Sequence, residues 1–508
     1  MTNLATTLVT TAQRHPDAVA LKLDEAELSW TQFHQLASGI AGALRAQGLE
    51  PGDRVALILP NVPAFPVLFY GTLLAGGIVV PMNPLLKAGE IEYFFTDSDA
   101  SFAFAWPDFL DQAQEGAAGT STRVIVSGPL GPDPADLPPA EPIVVPVERE
   151  DDDTAVILYT SGTTGRPKGA ELTHRNLALN AQRSAEEVIR IAVEDVIMGC
   201  LPLFHVFGLT CALNTAVRSG ATLTLLPRFE PGKALQIIAR DRVTVFEGVP
   251  TMYGAMLNHP DAATADASSL RTCVSGGSSL PEQTLRDFEQ RFEVQLLEGY
   301  GLSETSPVAS FNMPGRATKP GTVGCAIPGC EMKLIGADGK DVGPGEGIGE
   351  IAIRGDNVMK GYWNRPEETA QAIPDGWFRT GDLARVDEDG YYTIVDRTKD
   401  MIIRGGMNVY PREVEEILYS HPDVRECAVV PVPDAEYGEN VGAAVSLRDG
   451  ATGDVTEIQD YVKQRIAAYK YPRSVWILDD LPKGPTGKIL KRKITPPEAD
   501  TKNPGSPG

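Results

Sequence analysis

The chain has 508 residues, of which 42% are hydrophobic and 22% are charged, so it is too long for a single hydrophobic core and we expect at least two domains. Acidic residues outnumber basic ones by 68 to 45, giving a net charge of −23, which disfavours binding to nucleic acid or to an anionic membrane surface. The six cysteines show no zinc-type spacing, the amino terminus lacks a signal-peptide pattern, and the longest apolar run, 67–80, is shorter than the roughly 20 residues of a membrane span. These features predict a soluble cytoplasmic protein with reduced thiols and no integral membrane segment.

Residues 1–125 alternate helical periodicity with short β-branched runs. The pattern predicts a helix over 30–47 and strands over 54–59 and 77–80, which is typical of an α/β sheet with flanking helices. A proline-rich stretch, 128–147, and an acidic run, 148–153, follow and predict a surface connector.

The same α/β pattern continues from residue 154. Strands are predicted over 155–159, 222–226 and 243–246, and a glycine-rich, strand-forming region follows over 321–395. We therefore expect a large α/β domain, 1–396, whose sheets are flanked by helices and which carries a β-rich subdomain.

The remainder predicts a small, mobile α+β domain, 397–494, and a disordered tail, 495–508. The net negative charge lies almost entirely in the large domain, because residues 397–494 contain 15 basic and 15 acidic residues. Nine of the basic residues lie in the segment 463–493. The predicted elements of the small domain are a strand 401–404, a helix 411–420, strands 426–432 and 441–447, and a helix 455–468.

A loop rich in glycine and hydroxyl residues, YTSGTTGRPKG at 159–169, directly follows the predicted strand 155–159. Its backbone N–H groups, hydroxyls and one lysine suit a phosphate chain, whereas a simple glycine and serine hairpin is the alternative on composition alone. It differs from the GxxxxGK[ST] loop because a proline precedes the lysine. The candidate phosphate-binding residues are Thr160, Ser161, Gly162, Thr163, Thr164 and Lys168.

This loop resembles the signature of the adenylate-forming superfamily, which contains acyl-CoA synthetases, luciferases and the adenylation domains of peptide synthetases. Four further segments resemble motifs of that superfamily, in the expected order: GYGLSET (299–305), FRTGDLA (378–384), DRTKDMIIRGGMNVYPREVEEIL (396–418) and PKGPTGKILKRKI (482–494). The resemblance implies an ATP-dependent acid–CoA ligase of the acyl-CoA synthetase branch. Such an enzyme converts a carboxylic acid to acyl-AMP with release of pyrophosphate and then transfers the acyl group to the thiol of coenzyme A.

The resemblance also implies roles for individual residues. Lys488 would bridge the substrate carboxylate and the α-phosphate, Glu304 would hold Mg²⁺, and Asp382 would accept hydrogen bonds from the ribose hydroxyls, with Arg397 contacting ribose or phosphate. Arg397 could instead pair with Asp396 or Asp400. The remaining nucleotide-binding candidates are Gly276, Gly277, Ser278, Glu298, Gly299, Tyr300, Gly301 and Ser303.

The second half-reaction requires movement, since the thiol must reach a carbonyl carbon that the lysine loop covers. The resemblance implies that the small domain rotates about Lys399 and brings the segment 404–406 to the acyl group. The candidates for the coenzyme A channel are Arg404, Gly405, Gly406, Lys470 and Arg473. Lys483 and Lys491–Lys493 are expected to be solvated or to screen the phosphates of coenzyme A.

The segment LPLFHVFG, 201–208, resembles the acyl-gating segment of the family, in which His205 would stand beside the acyl group; a buried core histidine is the alternative. Val206 stands where amino-acid-activating relatives carry an Asp, which argues against free amino acids. Apart from Glu247 and Glu304 the candidate walls carry no charge, so we expect an apolar monocarboxylic acid, fatty or aryl. The acyl-pocket candidates are His205, Val206, Gly208, Val249, Tyr253, Gly301, Leu302 and Pro307.

Three other functions remain compatible with the sequence. The same adenylation machinery could pass the acyl group to an amine or to a carrier phosphopantetheine. A luciferase-type oxygenase is disfavoured. A binding protein without catalysis is also possible, although every assigned polar residue is of the type that the chemistry requires.

Overall fold

The computed structural model describes residues 3–160 and 166–497 and divides the chain into two compact units. The first comprises Met1–Leu280, Thr284–Thr380 and Arg385–Thr393, and the second comprises the chain from Ile394 onward with the short segments Pro281–Gln283 and Gly381–Ala384. The second unit begins three residues before the predicted boundary at 397 and includes two short segments of the predicted large domain, 1–396.

The strands of the described chain are, in order, β1 (Val19–Leu23), β2 (Ala26–Ser29), β3 (Arg54–Ile58), β4 (Ile78–Pro81), β5 (Ala100–Ala105), β6 (Arg123–Gly128), β7 (Gly131–Pro132), β8 (Thr154–Thr160), β9 (Lys168–Thr173), β10 (Val196–Gly199), β11 (Thr222–Leu225), β12 (Val245–Gly248), β13 (Thr272–Ser275), β14 (Leu296–Gly301), β15 (Val308–Phe311), β16 (Cys325–Ala326), β17 (Cys330–Ile335), β18 (Asp341–Val342), β19 (Gly349–Gly355), β20 (Gly361–Tyr362), β21 (Phe378–Val386), β22 (Tyr392–Arg397), β23 (Ile402–Arg404), β24 (Met407–Val409), β25 (Val424–Asp434), β26 (Gly438–Leu447) and β27 (Ser474–Ile477).

The α-helices are α1 (Thr6–Arg14), α2 (Trp30–Ala46), α3 (Ala64–Leu74), α4 (Ala88–Ser98), α5 (Leu110–Ala117), α6 (His174–Arg183), α7 (Thr215–Ser219), α8 (Pro231–Asp241), α9 (Pro250–Leu257), α10 (Glu282–Phe292), α11 (Pro366–Ala372), α12 (Pro411–Tyr419) and α13 (Val455–Lys463). Local signals start several of them: at α2, Ser29 and Gln32 form a reciprocal capping box. Two segments, Ser184–Val188 and Gly208–Asn214, are π-helical. In the part of the chain that the structure describes, no helix combines the length and apolar character needed to cross a bilayer.

The first unit contains a nine-stranded sheet of order β16-β15-β14-β13-β12-β10-β11-β1-β2. Its central strands β10 to β14 run parallel to one another, so their carboxyl ends share one edge. The register aligns Gly248 with Ser275 and Ser275 with Glu298 at that edge. In open α/β sheets, ligands bind beside this edge.

A second sheet of the first unit has eight strands, in the order β20-β9-β8-β4-β3-β5-β6-β7. The hairpin β8–β9 pairs Thr160 with Lys168 at the end where the loop connects the two strands, which places the two flanks of the glycine-rich loop side by side. The short strand β20 extends the sheet by pairing Tyr362 with Ala170 of β9. A third sheet, of order β18-β17-β19-β21-β22, completes the strand-rich region expected over 321–395.

The second unit is built on the hairpin β25–β26, in which Asp434 pairs with Gly438 next to the connecting turn. Strands β23 and β24 extend this sheet on one side of β26, while β27 pairs with β26 in parallel. Helices α12 and α13 bury Val414, Leu418 and Ile458 against it. This is the α+β arrangement that the sequence predicts for the small domain.

Helix α13 ends at Lys463, five residues before its predicted end at 468. Side-chain amide Nε2 of Gln459 donates to the carbonyls of Pro472 and Arg473, and the amide of Arg473 donates to Val441 of β26. These contacts draw the chain back toward the sheet and stop the helix early. Of the predicted tail, residues 498–508 lie outside the described part of the chain.

Candidate active site

Glu304 is the carboxylate at the centre of the polar cluster in the first unit. It lies in a short 3₁₀ turn after β14 and is only 8% exposed. Its Oε1 atom accepts hydrogen bonds from the Tyr362 hydroxyl at 3.0 Å and from the Thr160 hydroxyl at 3.2 Å. Both donors are neutral hydroxyls, so neither hydrogen bond is an ion pair.

Tyr362 is a member of this cluster that no sequence motif indicates. Burial, and then the charge of Glu304, raise the pKa of its hydroxyl, which therefore stays a proton donor. The Lys168 ammonium lies 5.1 Å from the centre of the Tyr362 ring, within the range of a cation–π contact. Thr160, Lys168, Tyr362 and Glu304 thus form one cluster at the end of the β8–β9 hairpin. Four other phosphate-loop candidates, Ser161, Gly162, Thr163 and Thr164, lie outside the described residues.

The structure fits Mg²⁺ at Glu304 better than it fits a metal held by protein ligands alone. Among residues 3–160 and 166–497, no group of three or more His, Cys, Asp or Glu side chains could hold a metal ion. Mg²⁺ commonly binds proteins through one or two carboxylates and completes its shell with substrate phosphates and water. A carboxylate beside the flanks of the predicted phosphate loop matches that mode.

The candidate adenine-binding residues follow the carboxyl ends of β13 and β14. Gly276 is buried, and a Cβ there would meet the Phe207 ring at 3.0 Å, whereas Gly277 has a left-handed φ of 81° that favours glycine. Glu298 is buried and its Oε1 accepts the amide of Leu280 at 2.9 Å, so this carboxylate supports the turn after β13. Ser278, the next candidate along the chain, is exposed. The last four candidates are partly exposed: Gly299, Tyr300, Gly301 and Ser303.

The predicted acyl-pocket residues occupy two kinds of position. His205, Gly301 and Leu302 are partly exposed, and Gly301 leaves no room for a side chain because a Cβ would meet the carbonyl oxygen of Pro307. The amide of Phe207 donates to Nδ1 of His205 at 3.3 Å, which orients the imidazole. The buried candidates are Val206, Gly208, Val249, Tyr253 and Pro307.

Tyr253, predicted to line the acyl pocket, lies instead in the hydrophobic core. It is fully buried, packs edge to face on Phe246 and Phe288, and donates its hydroxyl to the carbonyl of Val274 at 2.6 Å. These contacts make Tyr253 a core residue of the first unit rather than a pocket wall.

Glu247 of β12 is fully buried, and neither carboxyl oxygen has a hydrogen-bond partner among the described residues. Burial raises the pKa of Glu247 to about 8. The group is therefore a neutral carboxylic acid at physiological pH. This residue does not place a charge in the acyl region.

In the second unit, Asp382 and Arg397 form an ion pair. Arg397 Nε lies 2.7 Å from Asp382 Oδ1, and the carboxylate is only 4% exposed. The structure thus selects Asp382 as the carboxylate that pairs with the Arg397 side chain, while Asp396 accepts the Arg397 backbone amide at 2.8 Å.

Lys488 belongs to the same cluster. Burial, and then the charge of Arg397, lower the pKa of Lys488 to about 8, partly opposed by Asp382. A shift of this kind marks candidate functional lysines. The cluster therefore combines the expected ribose-binding carboxylate with the expected adenylation lysine.

The predicted hinge residue, Lys399, is exposed in the turn 398–400 between β22 and β23. Gly405 and Gly406 follow β23, both with positive φ (55° and 80°), as a tight turn requires. Arg404 is 8% exposed, donates to Asn440 at 2.6 Å and stacks 4.1 Å from the centre of the Tyr437 ring.

The basic segment 463–493 is less open than the sequence suggests. The Lys470 ammonium contacts both carboxylate oxygens of Glu413 at 2.7 Å, so a phosphate would have to replace that partner. Arg473 stacks on Tyr471. Burial, and then the positive charge of Arg404, lower the pKa of Arg473. The expectation of solvated charges is wrong for Lys483 and Lys491, because they form ion pairs with Glu426 and with Glu415.

Comparisons with known proteins show the family of this chain. Two family models match: AMP-binding enzyme over residues 8–363 and AMP-binding enzyme C-terminal domain over residues 413–488. The chain therefore belongs to the AMP-binding enzyme family. The resemblance and the enzyme class predicted from the sequence, an AMP-forming acid–thiol ligase, are confirmed.

Individual relatives cover nearly the whole chain. The feruloyl-CoA synthase of an Amycolatopsis species is 40% identical, with 95% of this chain and 96% of that protein covered. The long-chain-fatty-acid–CoA ligase of Bacillus subtilis strain 168 is 37% identical, with 98% and 95% covered. The crystal structure of ATP-bound MatB from Rhodopseudomonas palustris has a TM-score of 0.90 at 35% identity, covering 97% of this chain and 98% of that one, and it confirms the predicted α/β fold class.

Proposed function

We propose that this enzyme is an ATP-dependent acid–CoA ligase that activates an apolar monocarboxylic acid as acyl-AMP, releases pyrophosphate and transfers the acyl group to coenzyme A. The observation that carries the proposal is the cluster in the second unit, where a lysine of lowered pKa lies with the Asp382–Arg397 ion pair. A cation and a buried carboxylate are the groups that joining a carboxylate to a nucleotide phosphate requires.

Adenylation brings two anions together. Two unit negative charges about 4 Å apart repel by roughly 4 kcal/mol at an effective dielectric constant near 20. The Lys488 ammonium offsets this repulsion by binding the substrate carboxylate and the α-phosphate, and Asp382 accepts the ribose hydroxyls. Release of pyrophosphate leaves an acyl-AMP whose carbonyl carbon is open to attack.

The residues of the first unit orient the phosphate chain. Glu304 is the metal-binding carboxylate, and the hydroxyls of Tyr362 and Thr160 fix the position of its Oε1 atom. When bound, Mg²⁺ supplies the positive charge that the phosphates need in the transition state. Lys168 adds a cation at the end of the hairpin.

The second half-reaction uses the small domain. Rotation about Lys399 withdraws Lys488 and presents Arg404, Gly405 and Gly406 to the acyl group. The positive φ at both positions favours glycine, and because glycine has no Cβ the turn is free of side chains, which suits the passage of a pantetheine arm.

The acid is apolar and carries one carboxylate. The buried and partly buried candidates Val206, Val249 and Leu302 offer methyl groups rather than charges, and Glu247 is neutral. Burial of alkyl chain contributes about 0.8 kcal/mol per CH₂, whereas a compact aryl acid binds through stacking and shape. The named relatives include ligases for both kinds, a long-chain fatty acid and ferulate.

We also place the enzyme in the cytoplasm. Its reaction consumes ATP and coenzyme A, and all six cysteines are buried and free. Reduced thiols are typical of that compartment.

A screen of alkyl and aryl acids by pyrophosphate release tests the proposal whatever the acceptor. We expect release with a family of apolar monocarboxylic acids and none with free amino acids. Absence of release with every acid would overturn it. Acyl-AMP that accumulates unchanged with coenzyme A but is consumed by an amine or a carrier protein would replace the ligase assignment with an amide or carrier-acylating one.

A further inference from the structure

Asp97, near the carboxyl end of α4, is a hub of hydrogen bonds outside every sequence motif. Its Oδ2 atom accepts the Tyr159 hydroxyl at 2.8 Å, its Oδ1 atom pairs with Arg365 at 3.0 Å, and its carbonyl accepts the Trp363 indole N–H at 3.1 Å. The side chain is 13% exposed. Three contacts over sequence separations of 62 to 268 residues show that α4, β8 and the segment after β20 meet at this residue.

The first set of contacts fixes the loop end of the β8–β9 hairpin, where Thr160 pairs with Lys168. Tyr159 is the penultimate residue of β8, and its ring packs 4.3 Å from that of Phe94 on α4. On the other flank, the hydroxyl of Tyr93 donates to the carbonyl of Pro167, directly before β9. Helix α4 thus holds both strand ends that carry Thr160 and Lys168.

The second set of contacts fixes Tyr362. Asp97 holds the side chains of Trp363 and Arg365, and the amide of Trp363 donates to Gly169 at 2.7 Å. Tyr362 lies between these anchors and the Gly361 pairing with β9. Its hydroxyl then reaches Glu304, so the position of that carboxylate depends on the segment that Asp97 anchors.

We propose that Asp97 is a positioning residue of the ATP site: it fixes the hairpin end and the segment 361–365 so that Thr160, Lys168, Tyr362 and Glu304 meet the phosphate chain together. The inference rests on the proposed use of ATP and adds a residue that touches none of the reacting atoms. Its charge is essential to the role, because hydrogen bonds to an ionised carboxylate are about twice as strong as neutral ones.

The test compares ATP with AMP in the purified full-length protein. Asp97→Asn keeps the side-chain volume but loses the charge that holds Arg365. Because AMP lacks the β- and γ-phosphates, we expect the dissociation constant of Mg·ATP, measured by titration calorimetry, to rise about five- to tenfold, while that of AMP stays within twofold. Transfer from supplied acyl-AMP to coenzyme A should keep its rate.

Asp99→Asn is the matched control. Asp99 lies two residues further along, its side chain is 76% exposed, and it pairs with Arg54; we expect both affinities to match wild type. If Asp97→Asn does not fold, Tyr362→Phe provides the second variant, since it removes only the hydroxyl that holds Glu304, and the same loss for ATP alone is expected.

Two outcomes overturn the inference. Wild-type affinity of Asp97→Asn for both nucleotides would show that the network is not needed, and equal weakening of ATP and AMP would indicate a general structural role. These titrations need no acid substrate. A wild-type enzyme that binds ATP but releases no pyrophosphate with any acid would therefore refute the proposed function and leave the role of Asp97 to be decided by the titrations.

Discussion

Each unit contains a buried carboxylate with a predicted role in binding ATP, Glu304 in the first and Asp382 in the second, and the two carboxylates are held in opposite ways. Glu304 of the first unit is held by two neutral hydroxyls, whereas Asp382 of the second pairs with the guanidinium of Arg397. In the first arrangement neither hydrogen bond is an ion pair, and in the second the guanidinium balances the charge of the carboxylate. The difference suits an anchor for Mg²⁺ in one unit and an acceptor for uncharged ribose hydroxyls in the other.

The same contrast extends to net charge. The −23 of the chain lies almost entirely in residues 1–396, whereas residues 397–494 are neutral overall. Exposed acids more than a Debye length from the site, about 8 Å at physiological ionic strength, are largely screened. A net charge that disfavours binding to nucleic acid is therefore compatible with two polyanionic substrates.

The largest effect should come from the cation of the second unit. Lys488→Ala should lower the rate of acyl-AMP formation about 10²- to 10³-fold, because it removes the charge that we propose joins the substrate carboxylate to the α-phosphate. Thioester formation from supplied acyl-AMP should be nearly unchanged. Rapid-quench assays of each half-reaction measure both rates, and equal loss in the two would contradict the assigned role.

A substitution at the predicted hinge should have the opposite selectivity, because it should slow the second half-reaction and spare the first. Lys399→Pro should slow thioester formation on the order of tenfold and leave acyl-AMP formation near wild type, because it restricts the backbone of the turn that we propose as the hinge of the small domain. Lys399→Ala removes the same side chain without that restriction and serves as the control. An undiminished rate of thioester formation in the proline variant would count against rotation.

The pKa of Lys488, lowered to about 8, predicts a pH dependence. Adenylation needs the ammonium form, so kcat/KM for ATP, which reports the free enzyme, should fall about tenfold per pH unit above pH 8. Lys488→Arg stays charged across this range and, if active, should lack that decrease. The same alkaline decrease in the arginine variant would show that another group causes it.

Glu247 should make the stability of the folded protein depend on pH. The folded protein retains the proton of Glu247 up to about pH 8, whereas the unfolded chain releases it near pH 4.5, so this group favours folding at acid pH and that contribution is lost as the pH rises from about 4.5 to 8. Glu247→Gln should remove this dependence, on the order of a few kcal/mol between pH 5 and pH 8. Urea unfolding at several pH values measures it, with the exposed Glu25→Gln as control. An unchanged pH dependence in the Glu247 variant would mean that this carboxyl is not the cause.

The sequence predicts local features far better than long-range ones. Strand and helix positions follow from periodicity within a few residues, and the motifs name Glu304, Asp382 and Lys488 because each lies in a short contiguous signature. Tyr362 and Asp97 escape detection, since their importance arises from contacts with residues distant in the chain. Tyr253 shows the converse error, because an aromatic residue near a motif can serve the core.

The measurement that tests the account most directly is the stoichiometry of the complete reaction. With one accepted acid, ATP and coenzyme A, pyrophosphate release and loss of free thiol are followed in the same sample. An acid–CoA ligase should consume one thiol for each pyrophosphate that it releases, and we expect this ratio for the wild-type enzyme. Pyrophosphate released while the thiol concentration stays constant would contradict it.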